Sequence, residues 1–119
     1  MTRKLIYRPD ALDDLNQTEA YTRRAWGDVR ARRYIAALLV DIKALRVSAM
    51  RQPLCGHVHP GLRRKRSGMH HIYYLATRDY VEVLNIIHVQ RDPGLHLKLE
   101  TWSDEEDDMA DRGGSAGRG

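Results

Sequence analysis

Four consecutive cations, Arg63, Arg64, Lys65 and Arg66, stand just before His70 and His71, and His88, Arg91 and Asp92 follow further along. These residue types suit phosphate chemistry. Cutting a phosphodiester through a neighbouring hydroxyl needs a base, an acid and cations around the phosphate, and Arg63, His70, His88 and Arg91 are the candidates for those roles. Gripping a polyanion needs only the cations. Asp92 argues against cleavage, because it would set negative charge beside an incoming phosphate, and Pro93 ends any strand at once. His70 and His71 are adjacent, so on a strand they face opposite sides and cannot share a metal ion. His57 and His59 lie in one loop without an acidic or cysteine partner at ligand spacing, so no metal site and no cofactor are expected. Cys55 lacks the oxyanion donor and orienting group of a catalytic thiol and reads as a small buried residue.

The elements that must position these residues follow from periodicity and turn chemistry. A short strand over residues 3–8 carries Leu5, Ile6 and Tyr7 and stops at Pro9. Asp10 is placed to cap a helix over residues 10–25, with Asp13 and Asp14 near the positive end of its dipole. Its apolar face is weak, because Thr18 and Thr22 sit where larger residues would pack; a partly exposed face is expected. Gly27 marks a break and Asp28 is placed to cap a second helix. There Ala31, Tyr34, Ile35, Leu38, Ile42 and Leu45 keep the i, i+3, i+4 spacing over four turns. Two amphipathic helices so closely joined make an antiparallel hairpin.

Residues 52–61, with two Pro, two Gly and no periodicity, read as a loop. Three strands follow, over residues 62–66, 69–77 and 80–89, separated by Ser67-Gly68 and Arg78-Asp79 turns. Short turns imply an antiparallel meander. Periodicity does not say whether the first strand joins it parallel or antiparallel. Tyr73 and Tyr74 must point to opposite faces, one into the core and the other free for stacking or for a partner. Any member of the cationic run that faces the helices needs an acid or a carbonyl to engage it.

The chain of 119 residues with 42% hydrophobic content makes one small domain without Phe in its core. Residues 1–100 hold 18 Lys and Arg against 10 Asp and Glu, whereas residues 101–119 hold 2 Arg against 6 acids. A basic body favours a nucleic acid or an acidic protein partner. The acidic run 104–108 and the Gly-rich stretch after it read as a disordered tail, distinct from the domain over residues 1–100. A single cysteine suits a reducing, cytoplasmic compartment, and neither a signal peptide nor a membrane span is visible.

Over roughly residues 5–96 the chain resembles the ParE-type toxins of type II toxin–antitoxin systems, within the ParE/RelE toxin superfamily. The likeness is carried by Ala11, Asp14, Leu15, Tyr21, Trp26 and Gly27 at the first helix and its end, by Ala31 and Tyr34 in the second, by Pro53, Gly56, Gly61, Leu62 and Arg63 at the entry to the sheet, and by His70, Ile72, Tyr74, Ile86, Ile87, His88, Arg91 and Asp92 in the closing strands. Thr18 departs from the pattern, which has a larger apolar residue there. The resemblance implies an α/β (α+β) fold of order β-α-α-β-β-β, a small, mainly antiparallel sheet with a helical hairpin packed on one face. It implies a toxin held by a cognate antitoxin in a hetero-oligomer, the antitoxin contacting Leu12, Leu15, Tyr21, Trp26, Tyr34 and Leu38. For the free toxin it implies inhibition of DNA gyrase through Arg63, Arg64, Lys65, Arg66, His88, Arg91 and Asp92, with no catalytic residue of its own. The alternatives are a RelE-type ribosome-dependent mRNA endonuclease using the four groups named above, or a degenerate member that only binds. RelE-type members carry a basic or aromatic residue near the end of the last strand, where this chain has Arg91-Asp92-Pro93.

Overall fold

A computed structural model describes residues 2–91; Asp92, Pro93 and the whole acidic tail lie outside the described residues. The element order is β1 (Lys4–Tyr7), α1 (Pro9–Trp26), α2 (Asp28–Ser48), a 3-10 turn (Ala49–Arg51), β2 (Arg63–Ser67), β3 (His70–Ala76) and β4 (Tyr80–His88). This is the expected β-α-α-β-β-β succession. Pro9 makes the strand-to-helix switch. It forces Arg8 into extended backbone, at φ −74° and ψ 153°, and itself occupies the first helical position, where a missing N–H costs nothing. Asp10 is therefore not the cap. It lies in the first turn, and Arg8 holds the cap position without a side-chain hydrogen bond. Asp28 is likewise the first residue of α2 rather than its cap; Gly27 precedes it at φ +94°, a region that favours glycine. One residue between two long helices leaves the chain no choice but to double back.

The hairpin lies on one face of a sheet ordered β1-β4-β3-β2. The β2–β3 and β3–β4 pairs are antiparallel, and β1 runs parallel to β4, with Lys4 opposite Tyr80 and Tyr7 opposite Val83. α1 carries the chain away from the end of β1, and α2 returns it to the start. There Arg3 N–H donates to Arg46 O, and Arg46 Nε donates back to Arg3 O, both at 3.0 Å. Leu38, Ile42, Leu45 and Ala49 of the helical layer bury against Ile72, Tyr74, Val81, Val83 and Ile86 of the sheet. Each fully buried Leu or Ile contributes about 1.5–3 kcal/mol, which makes this layer the main source of stability. Thr18 and Thr22 are buried, contrary to the partly exposed face expected from their size. Thr22 Oγ1 is satisfied by donating to Thr18 O at 2.7 Å, one turn back in the same helix.

The opposite face of the sheet is covered too. Residues 52–62 fold over it and place Cys55, Leu62 and Val58 against Tyr73, Leu84, Ile87 and Leu75. Cys55 N–H donates to Leu62 O at 2.7 Å, and Arg64 N–H donates to Pro53 O at 3.2 Å, tying the loop to the edge of β2. Both tyrosines are therefore interior, Tyr73 at 1% and Tyr74 at 0% exposure, so neither is free for a partner. They do face opposite sides; what periodicity could not show was that each side has a cover. Tyr74 Oη donates to Ala49 O at 2.6 Å, which satisfies its buried hydroxyl. Between them the register jumps, from Tyr73 opposite Asn85 to Tyr74 opposite Val83, so β4 carries Leu84 as an extra residue. Asp14 of α1 accepts hydrogen bonds from Ile86 N–H at 2.8 Å and Asn85 Nδ2 at 3.0 Å beside this irregularity, and burial pushes its carboxyl pKa up.

The β2–β3 turn depends on Gly68. Its φ is +59°, and a Cβ built there would meet the Tyr34 ring at 2.7 Å. Gly68→Ala is expected to cost about 1–3 kcal/mol through the left-handed backbone and the displaced ring. Urea unfolding measures it directly; a loss below about 0.5 kcal/mol would mean that Tyr34 is not seated on this turn.

Candidate functional site

The cationic run forms the edge strand β2, and its register assigns each side chain a face. Arg63 opposes Tyr74 and Lys65 opposes Ile72, so both stand on the helix side; Arg64 opposes Tyr73 and Arg66 opposes His71, so both stand on the loop side. The expected engagement of a helix-side cation is present: Arg63 Nη1 donates to Gln52 O at 2.6 Å. Arg66, the exposed member, donates through Nε to Gly68 O at 2.7 Å. Among the described residues none of the four cations forms an ion pair with a carboxylate. The ion pairs lie elsewhere, between Arg8 and Glu82 at 3.1 Å and between Arg23 and both Glu19 and Asp28. The positive field of the strand is felt at His71, where burial first, and then Arg64 and Arg66, hold the imidazole below its usual pKa.

At the other end of the same strand, a small polar cluster closes the sheet against α2. Tyr34 Oη accepts Met69 N–H at 2.8 Å and lies 2.6 Å from His70 Nδ1, to which it can donate its proton. The His70 and His88 rings meet edge-on with centroids 5.4 Å apart, and His88 Nδ1 accepts Gln90 N–H at 3.1 Å. If Tyr34 Oη is the donor, His70 Nδ1 is the acceptor and the ring carries its proton on Nε2. Burial, and the proximity of His88, push His70 down to about 4. Ser67 Oγ donates to Asp41 Oδ2 at 2.6 Å and fixes the strand end to α2 about two turns beyond Tyr34.

The four groups proposed for phosphodiester cleavage are not brought together. His70 and His88 touch, and Arg91 is exposed just beyond His88. Arg63 lies four residues along β2 from the Ser67–His70 pair, about 13 Å away at the rise of a strand. Among the described residues, the partners of His88 are the Gln90 N–H and the His70 ring. The Tyr34–His70 contact escaped sequence reasoning, which read Tyr34 as a partner contact; its place on the core-facing line of α2 with Leu38, and the glycine at position 68, were the available signals. Among the described residues no group of three His, Cys, Asp or Glu side chains could hold a metal ion, and no helix is long and apolar enough to cross a membrane.

The six hairpin residues proposed to receive a partner divide. Tyr21 at 63% and Trp26 at 62% are open, as is Leu12; Leu15 and Tyr34 are half-buried against the core; Leu38 at 1% is interior and out of a partner's reach in this state. Sequence reasoning passed over Val29, Leu39, Val40 and Val47, which also present apolar surface on α2. Arg30 stacks its guanidinium 4.8 Å above the Trp26 ring.

The domain is α+β, with a cationic edge strand and open apolar side chains on the helical hairpin. Comparison with known proteins places it. The family model of the ParE toxin of type II toxin–antitoxin systems, parDE, matches residues 5–93, and the chain belongs to that family. Among solved structures it is similar to a chain of the chromosomal ParDE toxin–antitoxin system from P. aeruginosa, with a TM-score of 0.66 and 17% identity over 75% of this chain and 98% of that one. At that identity the likeness speaks for the fold. No curated protein matches the chain.

His70 makes stability depend on pH. The unfolded chain protonates this ring near 6.5 and the folded one at about 4, so between those values the unfolded state binds more protons. Stability should fall as pH drops from 6.5 towards 4, by about 1–2 kcal/mol once solvent screening of a partly open group is allowed for. Urea unfolding at both ends of that window, with His70→Gln as reference, isolates the contribution. Equal slopes in the two proteins would contradict it.

Proposed function

We propose that this chain is the toxin of a type II toxin–antitoxin pair, neutralised by a cognate antitoxin in the cytoplasm and inhibiting DNA gyrase when free. Membership of the ParE toxin family across the whole described domain carries the reading. Two features support it. The groups that cleavage would require are divided between opposite ends of β2, which favours action by binding. The outer surface of the hairpin, with Leu12, Tyr21 and Trp26 open, is of the kind that accepts an apolar segment from a partner. On this reading the antitoxin occupies the hairpin surface, while Arg64, Lys65, Arg66, His88 and Arg91 face the target; Arg63 contributes less, since its guanidinium is committed to Gln52.

Purified gyrase provides the test. Free toxin should inhibit supercoiling of relaxed plasmid, and Arg64→Gln with Arg66→Gln should weaken that inhibition by about tenfold, the loss expected from two contacts of modest strength. Undiminished supercoiling in the presence of folded toxin would remove the gyrase reading. Cleaved transcripts in a translating extract would replace it with the endonuclease.

The antitoxin surface has its own test. Trp26→Ala should lower affinity for the cognate antitoxin about tenfold or more, as loss of an aromatic anchor does. Unchanged affinity for Trp26→Ala and Tyr21→Ala together would move the antitoxin off the hairpin.

A further inference from the structure

We propose that the acidic run of residues 104–108 docks on the loop-side face of β2 and β3 of its own chain, where Arg64 and Arg66 flank His71. On this face the Arg66 guanidinium donates to Gly68 O and to Met69 Sδ, neither of which neutralises its charge. Arg64 and Arg66 stand on the same side of a rigid strand, two residues apart, and have no carboxylate partner among the described residues. The run Asp104-Glu105-Glu106-Asp107-Asp108 supplies five consecutive carboxylates. It lies outside the described residues, so the argument rests on charge, place and reach.

Place and reach are both favourable. β4 ends with His88 opposite His70, and His70 is opposite Ser67, so the chain leaves the sheet two strands from Arg66. Two strand spacings are about 10 Å. The dozen or so residues between Arg91 and Asp104 have a root-mean-square span of about 20 Å even as a random coil, so no strain is needed to reach the face. Tethering of this kind gives an effective concentration on the order of millimolar, at which even a weak ionic contact is populated. The other candidate receptor is the set of helix arginines at the hairpin. There Arg23 already has Glu19 and Asp28, and Arg30 lies over Trp26. Arg64 is also half-buried, where a charge is less screened than on an open helix. Burial first, and then Arg64 and Arg66, hold the His71 imidazole below its usual pKa, so both cations bear on the proposed docking point.

The consequence is competition. An acidic ligand bound to this face must displace the chain's own acidic run, which raises the affinity a partner needs and screens out weak polyanions. The proposal does not depend on gyrase being the target.

A spin label on Ser103→Cys in the full-length chain tests it by NMR. Cys55 is 2% exposed and stays unlabelled under native conditions. At low salt the label should cut amide peak intensities more than twofold over residues 64–71. The effect should vanish with Arg64→Gln plus Arg66→Gln, with the five acids changed to Asn or Gln, and at about 0.5 M salt, where the screening length falls to a few ångströms. The same five-acid variant should bind a decaglutamate peptide several-fold more tightly than the parent. Uniform broadening, broadening centred on Arg24, Arg32 and Arg33, or broadening seen only between labelled and unlabelled copies in a mixed sample would each overturn the proposal. Unchanged decaglutamate affinity would do the same.

Discussion

Burial of the central sheet from both sides is the constraint on which the rest depends. Tyr73 and Tyr74 are neighbours in the chain, yet both are interior, one under the loop of residues 52–62 and the other under the helical hairpin. A strand pair covered on both faces has no room for uncompensated charge. The cations are therefore confined to β2, the edge strand, where Arg63 can reach a carbonyl and Arg66 can reach water. Edge placement also protects the sheet, because charged side chains discourage pairing with another chain. The same residues that keep the edge from aggregating are those that present a positive surface.

The attachment of α2 to this edge is polar and specific. Tyr34 holds the β2–β3 turn through Met69 N–H and His70, Asp41 holds Ser67, and Gly68 leaves space for the ring. The second helix thus links the two surfaces of the molecule. Its outward side carries open apolar residues of the hairpin, and its inward side sets the end of the cationic strand. These bonds fix the position of α2 relative to the β2–β3 turn.

Much of the fold was legible. The spacing of Ala31, Leu38, Ile42 and Leu45 marked α2 unambiguously, Gly27 marked the hairpin, and Ser67-Gly68 marked the turn, because each is a local signal with a local cause. The parallel pairing of β1 with β4 was not legible, since it is set by where α2 returns the chain and not by anything in residues 4–7. The cover provided by residues 52–62 was missed for a different reason. That segment packs through scattered residues, Cys55, Val58 and Leu62, held by turns rather than by a period. The capping roles given to Asp10 and Asp28 failed because Pro9 and Gly27 made the backbone changes themselves one position earlier. Of the site, the charge of β2 could be read, but the pairing of Tyr34 with His70 could not, because it joins residues thirty-six positions apart.

The central claim is the proposal that the chain presses its cationic edge strand against a macromolecular target. Hydrogen–deuterium exchange of the toxin with and without purified gyrase probes that surface directly. Slowed exchange at the amides of residues 63–68 on adding gyrase is the predicted result. Unaltered exchange there, with the complex demonstrably formed, would contradict the account.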